Sequence, residues 1–174
     1  MIDVLVVDDH AMMRAGLRRV IAGAGDMRVI GMAADGAQAL AALTTSRPDV
    51  VPMDLSMPGM DGLAATRRIT ESYPDVNVLV LTSYADQQRV VEALDAGAIG
   101  YVLKDAAPGA LLADIRWAAQ GQSPLGPRVA RTLLHARPAA RAGGRGADRA
   151  GTGGAGSRRQ GPGQQADRPR PGHP

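Results

Sequence analysis

Apolar and polar residues alternate in two distinct patterns along the first 120 positions. Short apolar runs rich in β-branched residues recur five times, at 2–7, 27–32, 49–53, 76–81 and 99–103. Near-continuous apolar runs of this length are typical of strands that are buried on both faces of a parallel sheet. The pattern therefore predicts five buried strands.

The segments between these runs carry apolar residues at helical spacing. Leu17 and Ile21, for example, fall on one face of a helix, and the predicted helices span 11–24, 37–45, 63–73, 86–96 and 108–120. Strands that alternate with helices predict an α/β fold with a doubly wound, five-stranded parallel sheet. We expect this domain to occupy residues 1–120 and residues 121–135 to form a linker that enters a short helix.

The formal net charge of +3 combines two unlike segments. Residues 136–174 hold eight Arg and two Asp, so they carry +6 and leave −3 for residues 1–135. This tail also has ten Gly, five Pro and no Val, Ile, Leu, Met or aromatic residue. It cannot bury enough apolar surface to offset its chain entropy, which predicts disorder. The basic charge of the tail is therefore not a nucleic-acid signal for the whole protein.

Composition excludes several classes of protein. The chain has no Cys, so it contains no disulfide and no Cys-ligated metal. It has no apolar run of about 18 residues, and its first ten residues, MIDVLVVDDH, lack the basic region of a secretory signal. We therefore expect a cytoplasmic protein without a membrane partner.

Polar residues stand where the predicted strands end. The ends carry Asp8 and Asp9, Asp54, Thr82 and Ser83, and Lys104 and Asp105. Ligands of such sheets bind beyond the carboxyl ends of the strands, so these side chains are expected to share one pocket. Three neighbouring carboxylates need a cation, and Mg²⁺ prefers oxygen ligands.

This set of groups suits phosphoryl chemistry. A carboxylate beside Mg²⁺, with a lysine and a hydroxyl nearby, can attack phosphorus and hold the phosphoryl oxygens. Lys104 is the single lysine of the chain, against nineteen arginines. The residues therefore indicate an aspartyl-phosphate.

Four motifs carry a family resemblance across residues 1–120. They are VLVVDDH at 4–10, MDLSMPGMDG at 53–62, VLTSYAD at 80–86 and GYVLKDA at 100–106. In order and spacing, this segment resembles the receiver domain of two-component response regulators. The resemblance is greatest to the LuxR/NarL group, whose output domain is a helix-turn-helix.

The resemblance implies a role for each residue of the pocket. Asp54 is expected to be the phosphoacceptor. Mg²⁺ is expected to bind Asp9, Asp54 and the backbone carbonyl of Ser56, with Asp8 acting through water. Lys104 would pair with the phosphoryl oxygens, the Thr82 hydroxyl would move to bond them, and Tyr101 would follow it inward.

The same resemblance implies partners and a mode of action. A sensor histidine kinase would supply the phosphoryl group, and phosphorylation would shift a population of conformers to regulate transcription. A homodimer through the receiver is compatible with this role. The protein would be a phosphoacceptor that dephosphorylates itself slowly rather than an enzyme. A stand-alone receiver, acting as an interaction module or phosphate sink, is the alternative. An Asp-nucleophile phosphatase is less well matched, because its two acids stand two residues apart and Asp8 and Asp9 are adjacent.

Several residues also have structural interpretations. Asp8 and Asp9 could cap the helix that follows them. Thr82 could cap the fourth helix, and Ser83 competes with it for the hydroxyl role. Tyr101 could be an ordinary core residue, and His10 is expected to be structural or solvent-facing rather than a ligand.

Pro52 departs from the family pattern, which has an apolar residue such as leucine two positions before the phosphoacceptor. Proline cannot donate to a strand ladder and is rare in central strands. We therefore expect Pro52 to weaken the third strand.

The tail permits a further hypothesis. Back-translated with chosen synonymous codons and read one base later, residues 146–173 permit the string GLTAREREVLGLAGRGLASKQIARDLGI. This string resembles the first part of a LuxR-type helix-turn-helix. The tail itself shows no helical periodicity, so DNA binding is expected of the intact parent family but not of this chain.

Overall fold

The computed structural model describes residues 1–135, which form a five-stranded, all-parallel sheet with strand order β2-β1-β3-β4-β5. The strands are β1 (Ile2–Val7), β2 (Met27–Ala33), β3 (Val50–Met53), β4 (Asn77–Thr82) and β5 (Gly100–Leu103). This is the order of the flavodoxin-like doubly wound folds. The predicted fold class is confirmed.

Helices follow the strands and cover both faces of the sheet. They are α1 (Ala11–Ala22), α2 (Gly36–Leu43), α3 (Gly62–Ser72), α4 (Gln87–Asp95), α5 (Pro108–Ala119) and α6 (Pro127–His135). Successive residues of β1 belong to different core clusters, because Val4 and Val6 pack with α1 and α5 whereas Leu5 and Val7 pack with α2 and α3. This alternation explains why the strands are almost continuously apolar.

Acidic N-caps set the start of three helices. Asp35, Asp61 and Asp86 each accept a hydrogen bond from the backbone N–H three residues on, at the start of α2, α3 and α4. Since such a side chain satisfies a donor that the first turn leaves unpaired, these helices begin one residue after the aspartate. The predicted 86–96 helix therefore contains a cap at its first position.

The short strand β3 retains Pro52 in the middle of the sheet. Val50 and Met53 pair with Val4 and Val7 of β1, and the ladder between β1 and β3 is registered at only these two positions. Pro52 lies in the gap, opposite Leu79 of β4. Pro52 therefore coincides with an interruption of the ladder rather than with an end of the strand.

The segment after α5 packs on the domain. Tyr101 of β5 donates its backbone N–H to the Pro124 carbonyl at 3.0 Å, and it forms an isolated parallel bridge with Leu125. Val129 of α6 is fully buried in the cluster that also contains Val90 of α4. Residues 123–135 thus extend the edge of the sheet and cover part of α4.

Among residues 1–135, no helix is both long and apolar enough to cross a membrane. The predictions of disorder and of a shifted reading frame concern residues 136–174 and lie outside the described residues.

Candidate functional site

Four adjacent strands end in the polar residues that the sequence singled out. Asp8 and Asp9 follow β1, Asp54 follows β3, Thr82 ends β4 and Lys104 follows β5. Because β1, β3, β4 and β5 are neighbours in a parallel sheet, their carboxyl ends meet at one edge. Asp8, Asp54 and Thr82 are all at most 3% exposed.

Lys104 joins two of the carboxylates directly. Its Nζ lies 2.6 Å from Asp8 Oδ2 and 3.0 Å from Asp54 Oδ2, and its side chain is 10% exposed. Removing one partner of a buried pair leaves an uncompensated charge. This single ammonium faces two buried carboxylates and stands close to a third, so the site holds excess negative charge.

Burial and the neighbouring charges shift the pKa values of both Asp54 and Lys104. Burial raises the pKa of Asp54 and the neighbouring Asp8 charge adds to the rise, while Lys104 opposes it without cancelling it. Burial lowers the pKa of Lys104, but its contacts with Asp8 and Asp54 outweigh burial, and the pKa is raised overall. The lysine therefore stays charged, and a further cation would favour the ionised form of Asp54.

The loop after β3 is folded tightly around the Asp54 backbone. A Cβ on Gly62 would lie 2.0 Å from the Asp54 carbonyl oxygen, so only glycine fits there. The Ser56 backbone N–H donates to Asp54 Oδ1 at 3.3 Å, and the Ser56 hydroxyl accepts from Arg89 Nη1 at 3.2 Å. The loop thus holds Ser56, whose backbone carbonyl is predicted to bind Mg²⁺, beside the Asp54 carboxylate.

Thr82 and Tyr101 are linked through Tyr84. Thr82 Oγ1 accepts a hydrogen bond from the Tyr84 backbone N–H at 3.3 Å, and the Tyr101 hydroxyl donates to the Tyr84 carbonyl at 2.8 Å. Tyr101 is fully buried, and this burial raises its pKa. Asp86 caps α4, so the capping role considered for Thr82 is wrong, and Ser83 is exposed.

Two arginines near the site went unrecognised in the sequence. Arg14 Nη1 donates to the Asp8 carbonyl at 2.6 Å from the first turn of α1. Arg89 reaches the Ser56 hydroxyl from α4. Both lie outside the family motifs, and their long side chains cross between elements, so no local pattern could have identified them.

The acidic end of the site has the donors that a divalent cation requires. One ligand atom from each of Asp8, Asp9, His10 and Asp54 lies within 4.8 Å of the others. Among the described residues, Asp9 Oδ1 is buried and accepts no hydrogen bond, whereas Asp8 Oδ2 is paired with the Lys104 ammonium. Buried oxygens without partners are costly, and carboxylate oxygens are hard donors that fit Mg²⁺.

The response regulator receiver domain family matches residues 4–116. The chain therefore belongs to this family. YhcZ of Bacillus subtilis, described as an uncharacterized transcriptional regulatory protein, is 47% identical over 109 residues, which cover 63% of this chain and 51% of YhcZ. The transcriptional regulatory protein LiaR of the same bacterium is 40% identical over 134 residues, which cover 77% of this chain and 64% of LiaR. The chain thus spans between half and two thirds of the length of these relatives.

Solved structures agree with the sequence relatives. The crystal structure of a LuxR-family two-component response regulator from Aurantimonas sp. has a TM-score of 0.74 at 31% identity, covering 78% of this chain and 97% of that chain. The receiver fold and the resemblance to the LuxR group are thereby confirmed.

Proposed function

We propose that Asp54 accepts a phosphoryl group from the phosphohistidine of a sensor kinase and that the receiver then changes conformation. One observation carries the proposal. The buried Asp54 carboxylate lies 3.0 Å from Lys104 and within 4.8 Å of carboxylate oxygens of Asp8 and Asp9. A nucleophile, a fixed positive charge and hard metal donors are the groups that phosphoryl transfer to a carboxylate needs.

The transfer step follows from this arrangement. An Asp54 carboxylate oxygen attacks phosphorus, the bond from phosphorus to the donor nitrogen breaks, and the leaving imidazole takes the electron pair. Lys104 is placed to bind the phosphoryl oxygens because its Nζ already contacts Asp54. Asp9, Asp54 and the Ser56 carbonyl would hold Mg²⁺, with Asp8 acting through water. When bound, Mg²⁺ neutralises charge on the transferred oxygens.

The conformational response would run through residues 82–84. A phosphoryl group adds about −1.5 to −2 charge and three strong acceptor oxygens. The Thr82 hydroxyl would turn toward these oxygens. It would then lose the hydrogen bond that it accepts from the Tyr84 backbone N–H. Because the Tyr84 carbonyl accepts a hydrogen bond from the Tyr101 hydroxyl, Tyr101 would move with it, and the surface formed by α4, β5 and α5 would change.

The relatives support a role in transcription. YhcZ and LiaR are both described as transcriptional regulatory proteins. We therefore propose that phosphorylation of this receiver controls transcription. We propose no DNA-binding role for residues 1–135. A homodimer through the receiver is part of the proposal, and a stand-alone phosphate sink is not favoured.

Labelling with radioactive acetyl phosphate tests the proposal. The wild-type chain should take up label in the presence of Mg²⁺, and Asp54→Asn should not. Asp75→Asn, which changes an exposed aspartate away from the site, should label normally. Persistent Mg²⁺-dependent labelling of Asp54→Asn would remove Asp54 from its role.

A further inference from the structure

A pocket of about 580 Å³ lies between α5, the end of β5 and the segment that leads into α6. Apolar side chains form most of its wall, among them Val102, Leu125 and Val129. Its size and its apolar lining are both typical of sites for small organic molecules. None of its lining residues takes part in the phosphoryl transfer proposed above, so a molecule bound there would be a second ligand, independent of the phosphoryl group.

One stripe of α5 faces this pocket. Four of the lining residues are spaced as i, i+3, i+4 and i+7, so they share one face of the helix: Ala110, Ala113, Asp114 and Trp117. The two alanines leave space because their side chains end at Cβ. Asp114 and Trp117 are three residues apart and therefore neighbours on this face. The stripe thus places a carboxylate beside an indole in a mostly apolar wall.

The Asp114 carboxylate has no positive partner among residues 1–135. Burial raises its pKa, and no hydrogen bond or nearby charge offsets that rise. The arginines nearest to it are paired elsewhere. Arg116 binds Asp26 at 2.7 Å, and Arg128, which also lines the pocket, binds Asp105 at 2.7 Å. Because a partly buried carboxylate without a counter-charge is costly, the pocket is complementary to a ligand that brings a cation.

The indole of Trp117 favours the same chemistry. Tryptophan is the aromatic side chain that attracts a cation most strongly, and Trp117 is 49% exposed. The chain beyond α6 is poorly suited to cover the pocket, since residues 136–174 contain no Val, Ile, Leu, Met or aromatic residue. A separate molecule with an apolar body and one cationic group matches the pocket better.

We propose that this pocket binds a small amphipathic amine. The ammonium group pairs with the Asp114 carboxylate and contacts the Trp117 ring, and the apolar body fills the space beside Ala110 and Ala113. An amine accounts for the unpaired carboxylate and the exposed indole together. A neutral apolar ligand would leave the carboxylate without a partner, and an anion would be repelled by it.

Fluorescence titration of the full chain tests the proposal, because Trp117 is the single tryptophan and lines the pocket. The probe is 4-phenylbutylamine. Its matched control, 4-phenylbutanol, keeps the apolar body and replaces the ammonium by a hydroxyl. The amine should change the Trp117 emission with saturation and should bind at least about tenfold more tightly than the alcohol, as expected of a hydrogen bond between charged groups.

Two variants separate the charge from the shape of the pocket. Asp114→Asn should remove the preference for the amine, whereas Asp75→Asn, an exposed aspartate that does not line the pocket, should retain it. Ala113→Leu should abolish binding of both probes, because leucine fills the pocket and is well tolerated in helices. Circular dichroism verifies that each variant is folded.

The proposal is overturned if the wild type shows no saturable change, if it binds both probes equally, or if Asp114→Asn still prefers the amine. A Trp117 spectrum that changes when the protein alone is diluted would show that a second copy covers the pocket, and this result would also contradict the proposal. Failure of Asp54 to take up label would refute the proposed function and leave these titrations unaffected.

Discussion

Replacing Pro52 by leucine should stabilise the domain, and the sheet register explains why. The Asp54 backbone N–H donates to the Val7 carbonyl of β1 at 2.9 Å. In a parallel ladder, alternate residues bond to the same neighbouring strand. Residue 52 is therefore the position whose N–H would face the Leu5 carbonyl, and proline has no N–H to offer.

The size of the effect follows from three contributions. Giving the buried Leu5 carbonyl a donor recovers the cost of leaving such an acceptor unsatisfied, about 1–3 kcal/mol. Removing a proline makes the unfolded chain more flexible, which opposes the gain by about 0.4–1 kcal/mol. Overpacking by the larger leucine side chain offsets a further part. We therefore expect Pro52→Leu to raise the free energy of unfolding by about 1–2 kcal/mol.

Equilibrium urea unfolding, followed by the fluorescence of the single tryptophan, Trp117, measures this gain. The midpoint should rise while the denaturant slope is unchanged. Pro52→Val restores the N–H with less added volume and should also stabilise. Pro74→Leu removes an exposed proline and should be neutral or slightly destabilising. If neither Pro52→Leu nor Pro52→Val gains stability, the missing ladder donor is not what weakens β3.

Three further predictions follow from the site and its supports. Burial and the Asp8 charge raise the pKa of Asp54, so the ionised Asp54 carboxylate destabilises the folded state. Thermal melts should show Asp54→Asn more stable than the wild type at pH 7, with the difference shrinking as the pH falls through that raised pKa. A variant that is less stable than the wild type at every pH would contradict this. Gly62→Ala should unfold the domain or destabilise it severely, since the added Cβ would clash with the Asp54 carbonyl oxygen. Gly16→Ala, in open space on α1, should instead raise the free energy of unfolding by about 0.5–1 kcal/mol in urea titrations. Similar effects at both positions would refute the clash. Val129→Ala should lower the free energy of unfolding by about 2 kcal/mol because Val129 is fully buried. Leu134→Ala, on the exposed side of α6, should change it by less than about 0.5 kcal/mol. Equal effects would show that α6 does not pack against the receiver domain.

The sheet was predictable because each strand is buried on both faces. That environment leaves a nearly unbroken apolar run, as at Val4–Val7, which stands out from the polar residues at the strand end. Helix starts were harder to place, since Asp86 reads equally well as the first helical residue or as the cap that it is.

The candidate site was only partly predictable. Motifs at strand ends indicate which residues meet, because the topology fixes which strands are neighbours. Contacts made by long side chains from other elements, such as that of Arg89 with Ser56, depend on tertiary packing that no local pattern records. The packing of α6 is similar, because the pairing of Tyr101 with residues 124 and 125 joins segments more than twenty residues apart.

The central claim is that Asp54 carries the phosphoryl group, and chemical mapping of the modified residue tests it most directly. The wild-type chain would be treated with acetyl phosphate and Mg²⁺, reduced with borohydride, and digested for mass spectrometry. Borohydride converts an aspartyl-phosphate to homoserine, so the account predicts homoserine at position 54. Homoserine at Asp8 or Asp9, or its absence from a chain that has taken up label, would contradict the account.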